Sequence, residues 1–179
     1  MSQFNLRPAT SSDIPHLIQL DHGYSTEYVW QMDARDDDGQ NQITFRRVRL
    51  PRSMRAIFAR QLSDLNDRWT ESTAFTVAEG EGHLKGYVSL IPGPAPETGW
   101  IGDFAVDRRW RRQGVGTALF NQAVAAAREA GWRRLIVEMQ SKNYPAIAFC
   151  QKRGLAFCGY NDRYYPNQDI ALFFGLNLR

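Results

Sequence analysis

A strand that runs into a basic, glycine-punctuated turn and straight on into a helix constrains this chain more than any other feature. The segment reads Ile101-Gly102-Asp103-Phe104-Ala105-Val106-Asp107-Arg108-Arg109-Trp110-Arg111-Arg112-Gln113-Gly114-Val115-Gly116-Thr117-Ala118-Leu119. Such a turn aims successive backbone N–H groups at one spot, at the positive end of a helix dipole. Gly114 and Gly116 let the backbone come close to a phosphate, and Arg111 and Arg112 add positive charge. Taken alone, the same residues would equally serve as a helix N-terminus with glycines for packing. Beyond the turn, Val115, Ala118, Leu119, Ala123 and Ala126 form the apolar stripe of a long helix that Gly131 can end, and Leu135–Met139 reads as a buried strand.

Around this unit the elements alternate. Phe4–Pro8 reads as a strand, and Thr10 to Asp13 offer caps for a helix carrying Ile14, Leu17, Ile18 and Asp21. Two partly alternating stretches flank Asp36-Asp37-Asp38-Gly39, which predicts a hairpin over 28–50. Met54, Ile57, Phe58, Gln61, Leu62 and Leu65 are spaced for a helix over Arg52–Asp67. Strands are expected at Phe75–Glu79 and Lys85–Ile91, joined by Gly80-Glu81-Gly82-His83, and at Trp100–Val106. A helix over Tyr144–Arg153 stops at Gly154, and strands at Leu155–Tyr160 and Asp169–Leu178 close a mixed α/β domain.

Composition narrows the function classes. The chain has 179 residues, 43% hydrophobic and 23% charged, as expected of one globular domain over 1–179 rather than a disordered or fibrous chain. No stretch is long and apolar enough for a membrane span, and the start lacks the pattern of a signal peptide, so a cytoplasmic location is expected. Cys150 and Cys158 match neither a disulfide framework nor a zinc spacing, and His16, His22 and His83 are scattered, so no metal is expected. Cys158, on a strand, reads as core. Arginines cluster at Arg46, Arg47, Arg49, Arg52, Arg55 and Arg60 and again at Arg108, Arg109, Arg111 and Arg112. A net charge of +3 is too small for a dedicated nucleic-acid binder, and the first cluster reads as a solvated face.

The run Arg111-Arg112-Gln113-Gly114-Val115-Gly116 resembles the [QR]-x-x-G-x-[GA] pyrophosphate loop of the GNAT superfamily of N-acetyltransferases. Val137 to Leu155 resembles that superfamily's strand, N-x-x-A helix and closing glycine, and Leu6 to Ile14 its common opening. Within the superfamily, Ile101–Val106, Glu138-Met139-Gln140 and Asn167–Leu172 look most like streptothricin acetyltransferases. The resemblance implies a mixed, mostly antiparallel central sheet flanked by helices, with the 28–50 hairpin inserted. It implies acetyl-CoA as co-substrate and direct transfer of acetyl to an amine. The acceptor is a small, antibiotic-like amine or a peptide amine, with the small molecule favoured.

Carried over residue by residue, the resemblance gives Phe104, Ala105 and Val106 backbone contacts to the pantetheine arm. Arg111, Arg112, Gln113, Gly114, Val115, Gly116 and Thr117 would cradle the pyrophosphate. Asn143 would bond the pantetheine end, with Ala146 and Phe149 beside it. A protonated amine cannot attack a thioester, so a base must take its proton. Asp103, on the strand that relatives use, is the first candidate and Glu138, on the next motif strand, the second; either could instead orient structure or hold a cationic substrate. Where relatives often carry the tyrosine that protonates the leaving thiolate, this chain has Cys150. Its thiol could donate or be inert core, and Tyr144, Tyr160, Tyr164 or Tyr165 could supply a phenol instead. The missing tyrosine also admits an acyl-CoA-binding sensor without catalysis. Trp30, Phe45 and the arginines of the hairpin, read as exposed, suit a lid over the acceptor or a homodimer contact; a plain surface excursion is the third reading.

Overall fold

Alternation along the strands decides how the chain layers. The computed structural model describes residues 4–57 and 59–178. Its elements are β1 (Asn5–Pro8), α1 (Ile14–Ile18), β2 (Tyr24–Asp37), β3 (Gln40–Ala56), α2 (Leu65–Glu71), β4 (Ala74–Gly80), β5 (His83–Pro92), β6 (Thr98–Val106), α3 (Val115–Glu129), β7 (Arg134–Gln140), α4 (Tyr144–Lys152), β8 (Ala156–Asn161) and β9 (Ala171–Asn177). Seven strands form one sheet in the order β1-β4-β5-β6-β7-β9-β8. Only β6 and β7 run parallel among these neighbours.

Ala78, Val88, Leu90, Ile101, Leu135, Val137, Met139, Leu172 and Phe174 pack with Val115, Leu119, Phe120 and Ala123 of α3 and Ile147 of α4. Val77, Tyr87 and Ala105 point the other way and pack with Ile14 and Leu17 of α1 and Leu65 of α2. The sheet thus separates two cores, one under α3 and α4 and a smaller one under α1 and α2.

The hairpin forms as expected but is longer than 28–50, pairing Tyr24 with Ala56 at its base. Asp38 and Gly39 at its tip both have positive φ, +41° and +82°, as a two-residue turn that follows strand twist requires. Pro51, which cannot donate to a ladder, lies where the pairing slips between Thr26 and Tyr28. Trp30 and Phe45 are not exposed: they sit half-buried in an aromatic cluster with Phe157 and Phe174. The Trp30 N–H also donates to Ser141 O at 2.9 Å.

Three further expectations change. The helix over 52–67 is absent: Met54 and Ala56 pair with Thr26 and Tyr24 as strand, and Ile57 is 77% exposed. A 3-10 turn over Leu62–Asp64 leads into α-helix only at Leu65, where the first fully buried side chain of the segment falls; Phe58 lies outside the described residues. Cys158 is exposed, because it stands at a bulge on the outermost strand, between Phe157 and Gly159. Asp21 lies beyond α1 rather than on it. No helix among the described residues is long and apolar enough to cross a membrane.

Candidate active site

The parallel pairing of β6 and β7 runs from Thr98 opposite Arg134 to Ile101 opposite Val137 and stops. Past that point β6 stays paired with β5 through Phe104, Ala105 and Val106, and β7 with β9 through Glu138, Met139 and Gln140. Among the described residues no ladder joins the two facing edges, so the sheet opens into a wedge. A bulge starts it. Val88 faces Phe104 while Leu90 faces Ile101, which leaves Gly102 and Asp103 together opposite Ser89. Ser89 Oγ accepts the Asp103 N–H at 2.8 Å and donates to Asp103 Oδ2 at 3.3 Å. A side chain at Gly102 would meet Ser89 Oγ at 2.9 Å.

The α3/α4 side of the wedge is lined by backbone and aromatic rings. Phe104 and Phe149 meet edge to face at 5.7 Å, and Phe149 meets Phe120 at 5.8 Å. Gly116 looks onto Val106, Phe104 and Phe149 across ordinary contact distances of 3.6–3.9 Å. Arg112 and Gly114 both have positive φ, +64° and +87°, which turns the loop so that its N–H groups and those of the first turn of α3 converge. Val115 is sealed in the core and anchors that turn. Gln113 donates to Arg109 O at 2.9 Å, and Arg112 points to solvent.

Arg111 is engaged elsewhere. Its guanidinium donates to Val106 O at 2.7 Å, Gly23 O at 2.7 Å and Asp21 O at 2.8 Å, so it clamps the end of β6 to the loop after α1. Burial pushes its pKa down. A residue that the sequence did not single out lies nearer the cradle. Arg153 Nη2 donates to Thr117 Oγ1 at 2.7 Å, its guanidinium lies 5.4 Å from the Phe149 ring, and its Nε is buried without a partner. Asn143 caps α4 by accepting the Ala146 N–H at 3.2 Å, which leaves its own amide protons for a ligand.

This side fits acetyl-CoA. The unpaired strand edges can take a ligand that carries its own amides, and the convergent N–H groups with Arg112 and Arg153 suit a diphosphate. Phe104, Ala105, Val106, Gln113, Gly114, Gly116, Thr117, Asn143, Ala146 and Phe149 are the residues that would hold it.

Across the sheet, on the α1/α2 side, stand two carboxylates. Asp103 has a fully buried side chain whose oxygens accept Arg68 Nε at 3.2 and 3.0 Å. Glu138 follows the last parallel pair, and its side chain is 2% exposed although the residue is half-buried, so its main chain is what opens onto the wedge. Glu138 Oε1 accepts Arg60 Nη2 at 3.1 Å and the Tyr165 hydroxyl at 3.0 Å; Oε2 accepts the Tyr164 hydroxyl at 3.0 Å. Deeper on the same strand, Tyr24 donates to Gln140 Oε1 at 2.8 Å, and Gln140 donates to Asp169 at 2.6 Å. Burial, and then the negative charge of Glu138, raises the pKa values of Tyr164 and Tyr165.

The structure does not bring Cys150 to either carboxylate. Cys150 is 2% exposed in the larger core, and burial pushes its thiol up to about 12. Tyr144 accepts from Arg47 at 3.0 Å, and Tyr160 packs on Phe45. Tyr164 and Tyr165 are thus the two of the four candidate phenols that reach a carboxylate beside the wedge. In the sequence Arg60 reads as part of a solvated basic face, and Arg68, one residue past the helix expected over 52–67, is not singled out. Among the described residues no cluster of three or more His, Cys, Asp or Glu could hold a metal.

Comparison with known proteins agrees with this geometry. The profile of the acetyltransferase (GNAT) family matches residues 43–155. The streptothricin acetyltransferase of Streptomyces lavendulae is 25% identical over 169 residues, spanning 92% of this chain and 87% of that protein. The crystal structure of nourseothricin acetyltransferase superposes with a TM-score of 0.84 at 25% identity, covering 99% of each chain. A candidate streptothricin acetyltransferase from Bacillus anthracis str. Ames, solved with acetyl coenzyme A, gives a TM-score of 0.79 at 20% identity over 97% of this chain and 98% of that one. With the matched region containing the wedge, the glycine turn and α4, the chain belongs to the acetyltransferase (GNAT) family and is an N-acetyltransferase that draws its acetyl group from acetyl-CoA.

Proposed function

We propose that the acceptor is a cationic small-molecule amine of the streptothricin class, and that Glu138 takes its proton. The observation that carries this is the Glu138 carboxylate, one residue past the end of the parallel pairing, already holding a cation and two phenols. Similarity across nearly the whole length to streptothricin and nourseothricin acetyltransferases supports the same acceptor class.

Acetyl-CoA, when bound, supplies an acetyl thioester that a neutral amine attacks directly. Near neutral pH an alkylamine arrives as an ammonium ion. Glu138 holds that charge, removes the proton and leaves a nitrogen lone pair free to attack. Tyr164 and Tyr165, both donating to Glu138, supply the phenol that returns a proton to the departing sulfur. Asp103 is a positioning residue in this reading, since Arg68 and Ser89 occupy its carboxylate and it shapes the bulge. Cys150 has no part in the proton transfers.

The test is acetyl-CoA consumption with streptothricin, an aminoglycoside and a peptide with a free N-terminus. Streptothricin is expected to give a kcat/KM at least tenfold above the peptide. Preference for the peptide would redirect the reading to protein N-termini. Binding of acetyl-CoA with no turnover on any amine would make the chain a sensor.

A further inference from the structure

The two carboxylates beside the wedge are each matched by an arginine from one short stretch of chain, Arg60 with Glu138 and Arg68 with Asp103. The two pairs are not fastened alike. Arg68 meets both oxygens of Asp103 through Nε and is also held through Nη1 by Gln61 O at 2.9 Å; its side chain is 19% exposed. Arg60 touches Glu138 by one hydrogen bond of 3.1 Å, its side chain is 30% exposed, and it lies between β3 and α2 in backbone that is neither helix nor strand. The Glu138 side chain is 2% exposed and holds the Tyr164 and Tyr165 hydroxyls independently of its bond to Arg60. Of the five side chains meeting at this carboxylate and its neighbour, Arg60 is the one held by a single hydrogen bond alone and so free to leave, since Tyr164, though 43% exposed, also packs its ring on Tyr165 and Phe173.

We propose that Arg60 stands in for the acceptor's ammonium: in the free enzyme it fills the cation position on Glu138, and a charged acceptor enters by taking its place. The proposal rests on the reading of Glu138 as the group that receives the amine. Exchange of one cation for another keeps the buried carboxylate compensated throughout. A neutral acceptor displacing Arg60 would leave that carboxylate without a counter-charge, which is strongly unfavourable at a buried site. Arg60 therefore sets specificity, admitting acceptors that arrive protonated and turning away uncharged ones. It does so at the expense of affinity, because the acceptor binds only the fraction of molecules in which the position is vacated.

The experiment is calorimetric titration of n-butylammonium chloride into the CoA-loaded protein, comparing wild type, Arg60→Gln, Arg60→Met and Glu138→Gln, with circular dichroism and CoA affinity as folding controls. Removal of Arg60 is expected to tighten n-butylammonium binding at least fivefold in both variants. Glu138→Gln is expected to abolish it. Kinetics with streptothricin should show a matching fall in acceptor KM for Arg60→Gln. Equal or weaker n-butylammonium binding in the Arg60 variants overturns the proposal; should both fail to fold for want of a counter-charge on Glu138, wild type is titrated with n-butanol, and binding equal to that of n-butylammonium overturns it. The titration requires no turnover. If streptothricin is not acetylated while the Arg60 variants bind n-butylammonium more tightly, the acceptor assignment fails and the role of Arg60 stands.

Discussion

The two faces of the β6–β7 wedge are built from different materials. On the α3/α4 face the working parts are backbone: unpaired strand edges, a turn with two positive φ angles, and the first N–H groups of α3, backed by rings of the core. On the α1/α2 face they are side chains brought together from far apart, with Arg60 and Glu138 separated by 78 positions, Arg68 and Asp103 by 35, and Tyr165 and Glu138 by 27. Backbone groups have a geometry that comes with the fold, and on the proposed reading they would hold acetyl-CoA. On the reading proposed above, the side-chain face is the one that would choose the acceptor.

The sharpest attempt to break this contrast is made at Gly116. An added methyl meets only ordinary contacts of 3.6–3.9 Å with Val106, Phe104 and Phe149, so Gly116→Ala should bind acetyl-CoA within about threefold of wild type. Gly116→Glu sends a negative charge toward the convergent N–H groups and should lower affinity on the order of a hundredfold or more with unchanged circular dichroism. Unchanged affinity in the glutamate variant would show that the phosphates bind elsewhere.

A smaller effect is expected at Asp103, read as shaping the bulge rather than moving protons. Asp103→Asn removes the counter-charge from Arg68, whose side chain is 19% exposed, and should cost about 3 kcal/mol of folding stability by chemical denaturation. A variant as stable as wild type that loses more than a hundredfold in kcat/KM would return Asp103 to the role of base.

The smallest effect concerns the seam between the two faces. His22 is buried, its Nδ1–H donating to Leu20 O at 2.7 Å and its Nε2 accepting the Tyr87 hydroxyl at 3.0 Å. Burial lowers its pKa, reinforced by Arg111 and opposed by the bond to Leu20 and by Asp103 and Asp107. With the folded value below the unfolded value of about 6.5, the unfolded chain binds the extra proton first. The stability contributed by His22 is therefore complete above that pH and is lost as pH falls below it, by about 1.4 kcal/mol for each unit separating the two values. Denaturation midpoints should drop between pH 7.5 and 5.5 in wild type and flatten in His22→Gln; equal slopes would remove His22 from the account.

The same contrast governs what could be read from the residues alone. Gly114 and the Asp38-Gly39 tip are legible because each acts within a few positions of itself, through a dihedral angle or a turn. Glu138 and Asp103 stood out as acids on the right strands, but nothing local distinguished them. Their difference lies in distant partners: Arg68 on α2 for Asp103, and for Glu138 Tyr164, Tyr165 and Arg60, the last in a segment whose apolar spacing imitates a helix. The segment is strand to Ala56 because Tyr24 and Thr26 offer it a pairing edge, a preference that spacing cannot express. Arg111 misled in the opposite sense: its place in the glycine turn suggests a phosphate contact, whereas its three hydrogen bonds go to carbonyls that hold the loop.

The division of labour between the faces is tested most directly by Glu138→Gln, measured twice on one preparation: acetyl-CoA affinity by calorimetry and kcat/KM for the amine acceptor by CoA release. The account predicts affinity within about twofold of wild type and a kcat/KM lower by roughly 10²–10⁴, the usual worth of a general base. A loss of less than tenfold in kcat/KM, or an equal loss in both quantities, would contradict it.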